Sequence, residues 1–237
     1  MSIYAIADLH LSFDPAVDKP MDIYGPRWYD HAERLRKNWC SSISEDDTVI
    51  LPGDISWGLK LESAKYDLDW VDALPGRKII TKGNHDLWWS GITKLNKMYE
   101  TITLLQNDCC VAEGIYICGT RGWLTPDNDD FGEDDERIYK REMLRLRASL
   151  DKAVKMAADA GEEPDILGVL HYPPVSKQTA FSGFQQIFDD YGVKRVIYGH
   201  VHGEDGFRTA IEGVHHGVEY SLVSLDRLNC VPLCIKP

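Results

Sequence analysis

The 237-residue sequence lacks several features, and each absence removes a class of protein. Its six cysteines (Cys40, Cys109, Cys110, Cys118, Cys230 and Cys234) include no CxxC pair and are too sparse for a small disulfide scaffold. That argues against a zinc-thiolate site and for reduced thiols. No apolar run approaches the roughly 20 residues of a membrane span. The chain enters MSIYAIAD without a basic segment, a long apolar core or a small-residue cleavage site, so no signal peptide is read and a cytoplasmic location is expected. Positive charge is also in deficit: Lys+Arg 26 against Asp+Glu 38 leaves −12. Such a surface does not attract polyanions broadly, which disfavours nucleic acid as a partner, although bound divalent cations can make one cleft positive. No internal repeat is present.

What remains is ordinary for a globular chain, with 43% hydrophobic and 27% charged residues. One domain over residues 1–237 is expected. Short runs rich in Ile, Val and Tyr predict strands near Ile3 to Ala7, Thr48 to Leu51, Lys78 to Thr81, Ile115 to Cys118, Ile166 to Leu170 and Val193 to Tyr198. Tyr220 to Leu225 and Val231 to Ile235 add strands with no helix between them, a pattern suited to antiparallel pairing. Helical patterns fall at Arg27 to Cys40, Leu61 to Leu74, Ile92 to Tyr99, Arg137 to Ala160 and Phe181 to Asp190. The longest is preceded by acidic residues, carries Glu133/Arg137 and Glu136/Lys140 at i,i+4, and meets Gly161 at its end. The class is mixed α/β. The acidic stretch Asp127 to Glu136 fits a calcium loop poorly and reads as a solvated, helix-initiating loop or a lid.

Five segments carry metal-ligand residue types where apolar runs end: Asp8-Leu9-His10, Gly53-Asp54, Gly83-Asn84-His85-Asp86, His171 and Gly199-His200-Val201-His202. The carboxyl ends of strands are where open α/β sheets bind ligands, so distant segments can converge on one cleft. On an extended segment i and i+2 share a side, which makes Asp8 with His10, and His200 with His202, local ligand pairs. Gly53, Gly83 and Gly199 precede the polar residues and permit close backbone approach. Carboxylate, imidazole and amide donors without thiolate suit manganese, iron, zinc or cobalt. Seven candidates exceed one four-coordinate site, so two divalent metal ions sharing a carboxylate, with Asp54 as the bridge, is the economical reading.

Taken in order, DxH, GD, GNHD, a lone His after a strand and GHxH resemble the calcineurin-like metallophosphoesterases over Asp8 to His202. The resemblance implies two packed β-sheets flanked by helices in a four-layer sandwich. It implies that Asp8, His10, Asp54 and His202 hold one metal, and Asp54, Asn84, His171 and His200 the other. A hydroxide bridging the two would attack a small phosphomonoester or phosphodiester in line, with His85 protonating the leaving oxygen and Asp54 and Asn84 close to the chemistry. Asn84 and Arg121, the latter in Cys118-Gly119-Thr120-Arg121-Gly122-Trp123, are candidate contacts to the substrate phosphate, and Asp86 a candidate support behind the ligands.

The sequence departs from the protein Ser/Thr phosphatase branch, which carries GDxxDRG and RGNHE. Here stand Gly53-Asp54-Ile55-Ser56-Trp57-Gly58 and Lys82-Gly83-Asn84-His85-Asp86, so that branch's Asp partner of the catalytic His and its phosphate-binding Arg are absent. A small metabolite or nucleotide is favoured over a phosphoprotein. The competing readings are a nuclease and a non-catalytic protein-binding scaffold. Trp57, Trp88, Trp89 and Trp123 fit either a cleft wall or the core, and His31, His215 and His216 read as ordinary surface histidines.

Overall fold

A computed structural model of the chain describes residues 1–177 and 181–237. Its strands are β1 (Ile3–Ala5), β2 (Thr48–Leu51), β3 (Arg77–Thr81), β4 (Ile102–Leu105), β5 (Cys109–Ala112), β6 (Ile115–Thr120), β7 (Ile166–Leu170), β8 (Arg195–Tyr198), β9 (Gly213–His215), β10 (Val218–Leu222) and β11 (Leu233–Lys236). Its α-helices are α1 (His31–Ser42), α2 (Leu61–Asp72), α3 (Ile92–Leu95), α4 (Glu133–Ala160), α5 (Gly183–Asp190) and α6 (Gly203–Thr209).

The strands form two sheets, ordered β11-β1-β2-β3-β4 and β5-β6-β7-β8-β10-β9. Neighbours from β1 to β4, and from β6 through β8 to β10, run parallel. β11, β5 and β9 pair antiparallel at the margins. Central parallel strands are covered on both faces, which is why they read as continuous apolar runs. Alternation within a strand then divides the core. Ile50 faces the other sheet with Ile79, Leu167, Val169 and Ile197, while Val49 and Leu51 face Leu35, Trp39, Leu68 and Val71 of α1 and α2. On the outer face of the second sheet Leu146, Leu150, Phe184 and Phe188 of α4 and α5 cover Leu170, Val196 and Tyr198. The four layers are helix, sheet, sheet, helix, as the family resemblance implies. The sheets touch through Ala7, whose N–H donates to Val223 and whose carbonyl accepts from Leu225.

Several boundaries differ from the sequence reading. β4, β5, β9 and α6 were not foreseen, because each is short or lies beside a turn. α4 begins four residues earlier, at Glu133, since Glu133, Asp134, Asp135 and Glu136 sit in its first turn and complement the helix dipole. α1 begins later, at His31, because Asp30 adopts φ 49° and separates it from a 3₁₀ turn at Pro26–Trp28. α3 stops at Leu95, short of Tyr99. The C-terminal expectation of antiparallel pairing holds for β11 against β1, whereas β10 runs parallel to β8.

One core position is cationic. Lys78 in β3 is fully buried, and its ammonium donates to the carbonyls of Asp72 (3.1 Å) and Leu74 and to the Thr101 hydroxyl (3.2 Å). Burial pushes its pKa down to about 8 from the ordinary 10.5. Between those values the unfolded chain binds the proton that the folded chain has lost, so this site adds stability as pH rises from about 8. Urea unfolding should show the wild-type chain gaining on Lys78→Met between pH 8 and 10. A difference that stays flat over that interval counts against the buried-ammonium account.

Candidate metal centre

The five motif segments leave the carboxyl ends of β1, β2, β3, β7 and β8, three adjacent strands of one sheet and two of the other. Where they leave, the backbone turns sharply: Asp8, His10, Asp54 and His200 have φ of 61°, 45°, 54° and 70°. This left-handed conformation costs non-glycine residues about 1–3 kcal/mol apiece and persists only where surroundings enforce it. Here the enforcement is visible. Residues 8–11 run beside 53–55, with Asp8, His10 and Leu11 N–H groups donating to the carbonyls of Gly53, Asp54 and Ile55 at 3.0 Å. The segment is therefore not a plain extended strand, and the i,i+2 argument for local pairs fails as stated. Asp8 and His10 do come together, but His200 and His202 part.

Two groups of donors result. Ligand atoms of Asp8, His10 and His202 lie within 4.8 Å of one another, and so do those of Asp54, His171 and His200. The groups meet at Asp54, whose Oδ2 is 3.8 Å from His10 Nε2 and 3.4 Å from His171 Nε2. Asn84 joins the second group, its Oδ1 2.7 Å from His171 Nε2 and 2.9 Å from His200 Nδ1. Glycine makes the approach possible. A Cβ on Gly83 would fall on the Asp54 carboxylate and amide, and one on Gly199 would lie 2.6 Å from Asp8 Oδ2.

Tautomers follow from the partners behind the rings. Pro52 O only accepts, so His171 Nδ1, 2.9 Å away, carries the proton and Nε2 faces the donors. Asp226 Oδ1 takes His202 Nδ1 at 2.9 Å and leaves Nε2 toward Asp8, 3.8 Å off. His171 Nε2, His200 Nδ1, Asn84 Oδ1 and Asp54 Oδ2 thus crowd lone pairs to 2.7–3.4 Å, close to the spacing of neighbouring ligands around a cation with bonds of about 2.1 Å. Either a proton or a cation must stand among them. Against burial, Asp54 and Asp8 push His171 up to about 9, whereas burial and the His171 charge push His200 down to about 3. His10 Nδ1 is buried without a partner among the described residues. The donor chemistry fits divalent ions of borderline to hard character.

Behind the donors stands Asp86, fully buried. It accepts N–H groups from Gly83 (2.8 Å), Asp54 (2.9 Å) and Ile55 (3.0 Å), and the Trp88 indole N–H (3.0 Å). Burial, then the Asp54 charge, push its pKa up to about 6. His85 is outside both groups. Its backbone N–H donates to Asp54 Oδ1 at 2.8 Å, and its ring lies 4.3 Å from Trp57. Trp57 stands at the motif position that the protein phosphatases fill with Asp, and it also stacks on His10 at 4.8 Å.

A cavity of about 600 Å³ opens beside the donors, walled by Met21, Tyr24, Trp28, Trp57, His85 and Asp226 among others. Trp28 and Asp226 escaped the sequence reading. Asp226 carried a usable signal, an acid directly after the apolar run Tyr220 to Leu225, while Trp28 sits in a 3₁₀ turn with no motif around it. His31, expected on the surface, is half-buried, its Nε2 3.0 Å from Leu9 O and its ring against Trp28. Trp88 and Trp89 are core residues. Arg121 does not line this cavity; its guanidinium lies over Trp123 at 4.3 Å and faces a different pocket. His215 and His216 belong to neither donor group. Residues 126–130 are exposed and do not line the cavity.

Fold and donor set fit the metal-dependent phosphoesterases. The sequence profile described as calcineurin-like phosphoesterase matches residues 1–204, and the chain belongs to that family. Over 57 residues it is 42% identical to the Gene 66 protein of Mycobacterium phage L5, a stretch covering 24% of this chain and 27% of that protein, about a quarter of its length. Similar solved structures include phosphopantetheinyl hydrolase from Mycobacterium tuberculosis (TM-score 0.57, 14% identity, covering 100% of this chain and 96% of that one). Also similar are TT1561 of Thermus thermophilus (0.60, 9%, 94% and 89%) and a protein of unknown function from Aquifex aeolicus (0.54, 17%, 98% and 95%). At these identities the likeness is one of fold. Among the described residues no helix is long and apolar enough to cross a membrane.

Two outcomes are expected. Asp86→Asn places an amide against N–H donors and should weaken metal affinity about 10–100-fold, read by chelator competition; wild-type affinity would remove Asp86 from the support of the site. Because an ion must displace the His171 proton, affinity should also rise with pH up to about 9, with proton release visible in calorimetry across buffers of different ionisation heat. No proton release at pH 7 would contradict this.

Proposed function

We propose that the chain hydrolyses small organic phosphoesters at a centre of two divalent ions, one held by Asp8, His10, Asp54 and His202 and the other by Asp54, Asn84, His171 and His200. The observation carrying this is Asp54 Oδ2 between two separate donor groups on the wall of a 600 Å³ cavity. Manganese, iron, zinc or cobalt in these positions would supply Lewis acidity, making a water acidic and offsetting charge on phosphoryl oxygens.

The chain's own residues bind and direct the substrate. His85 on the cavity wall and Asn84 in the adjoining donor group are the phosphate contacts proposed here, whereas Arg121 lines another pocket. The His85 imidazole lies on the cavity wall next to Asp54 and outside the donor groups, where it can give a proton to the leaving oxygen. Among the described residues no carboxylate is hydrogen-bonded to its ring, and the Trp57 ring packs against it. Met21, Tyr24, Trp28 and Trp57 form the apolar wall that takes the organic part of the ester. A cavity of this size suits a small molecule. Glu204 and Asp226 also line the cavity, and with the net charge of −12 they favour a small ester over a nucleic acid strand.

Protein stripped of metal and reloaded with each of the four ions should cleave p-nitrophenyl phosphate or its diester only when loaded. Asp54→Ala should lose at least one ion and nearly all activity; full activity with both ions bound would end the bridging assignment. His85→Ala should keep its metals yet lose roughly 10²–10⁴-fold in turnover on an alkyl ester while changing little on a nitrophenyl ester. Equal losses on both would refute proton donation by His85.

A further inference from the structure

A second cavity, of about 270 Å³, shares no lining residue with the one beside the donor groups. It sits where β3, β4 and β6 end against α4, and its polar lining includes Lys82, Gln106, Arg121, Arg141, Glu142 and Arg145. In a chain of net charge −12, four cations gather here around one carboxylate.

That carboxylate is already fully engaged. Glu142 is completely buried; its Oε1 accepts from Arg145 at 2.8 Å and Arg141 at 3.2 Å, its Oε2 accepts from the Thr120 hydroxyl, and Arg121 stands 3.8 Å away. Four positive charges face Glu142 and, on the Lys82 side, the buried Asp86, which leaves two over. Among the described residues Lys82 makes no hydrogen bond or close ion pair, and the carboxylates of Asp86 and Glu142 act on it only from a distance. Arg121 stands over Trp123 and reaches Glu142 only at 3.8 Å, and its buried Nε has no hydrogen-bond partner among the described residues. Cations drawn partly out of water and left unpaired are unfavourable unless an anion completes the site. Guanidinium forks match the oxygens of phosphate, and the excess charge suits a dianion better than a chloride or a single carboxylate. The volume admits a phosphate with a few attached atoms and falls below the roughly 300–1,000 Å³ of drug-sized ligand sites.

We propose that this pocket is a second site for a dianionic phosphoryl group, either free phosphate or the phosphate of a small phosphorylated metabolite, distinct from the donor groups at the metal centre. It backs onto that centre: Lys82 directly precedes Gly83-Asn84, and the Arg121 carbonyl accepts N–H groups from His171 (3.1 Å) and Tyr172 (2.9 Å). The site does not depend on the hydrolytic reading.

The test is equilibrium dialysis of labelled inorganic phosphate against the full chain, once loaded with manganese and once with excess chelator. Under chelator the wild-type chain should bind one phosphate, and Lys82→Met/Arg121→Gln should bind it at least tenfold more weakly. Glu142 keeps Arg141, Arg145 and Thr120 in that variant, so its melting temperature should stay near wild type; if it melts early, Lys82→Met alone is read. With manganese the wild type should bind two. Stronger displacement of the label by glucose 6-phosphate than by unlabelled phosphate assigns the pocket to a metabolite, and weaker displacement assigns it to free phosphate. No binding under chelator, or undiminished binding in a folded variant, overturns the proposal. A failure of the phosphoesterase reading would remove activity and leave the chelator result standing.

Discussion

The centre depends on one buried carboxylate that belongs to neither donor group. Asp86 takes four backbone N–H groups from the turns after β2 and β3, the one from Ser56 long at 3.5 Å, and a fifth bond from Trp88, so two loops of different strands are tied to one anion. A charged acceptor with several N–H donors is among the stronger hydrogen-bonding arrangements, and its burial makes the loss of any donor expensive. The tie sets Asp54 beside Gly83, and from Asp54 the rest of the donor geometry extends to His10 on one side and His171 on the other. Burial opposes the charge it serves, which is why the Asp86 pKa climbs to about 6 even with these donors around it.

Part of the backbone strain lies where the chemistry is proposed. Four of the donor residues sit in left-handed backbone, and the ladder between residues 8–11 and 53–55 holds two of those turns in place. A helix or strand would satisfy its backbone locally; these residues are held by another segment of chain. The arrangement points side chains from five strand ends into one volume, which regular extension could not do for Asp8 and His10 together with Asp54.

Substitution of an aromatic ring for a carboxylate next to His85 has a consistent consequence across the cavity. Trp57 packs on both His85 and His10, and Trp28 packs on His10 and His202, so these imidazoles have ring contacts on the cavity side, while hydrogen bonds to Pro52 and Asp226 hold His171 and His202 from behind. The same rings make the cavity wall apolar. One choice of residue at position 57 therefore affects both the orientation of the imidazole and the kind of ester the cavity accommodates.

Local signals in the sequence marked the central strands and the candidate donors, while the four-layer architecture followed from the family resemblance. Apolar runs of strand length mark β2, β3, β7 and β8, and metal-ligand types directly after such runs name Asp8, Asp54, Asn84, His171 and His200, because both signals are local in the chain. Tertiary structure decided the grouping of donors, since His200 and His202 are two residues apart yet serve different groups once φ at His200 turns positive. It also decided Asp226, Trp28 and the cationic pocket, whose members come from segments far apart in sequence. Periodicity reports which face of an element is buried; it carries no information on which distant side chains will share a dielectric, and that is what sets the charge balance around Glu142 and the proton on His171.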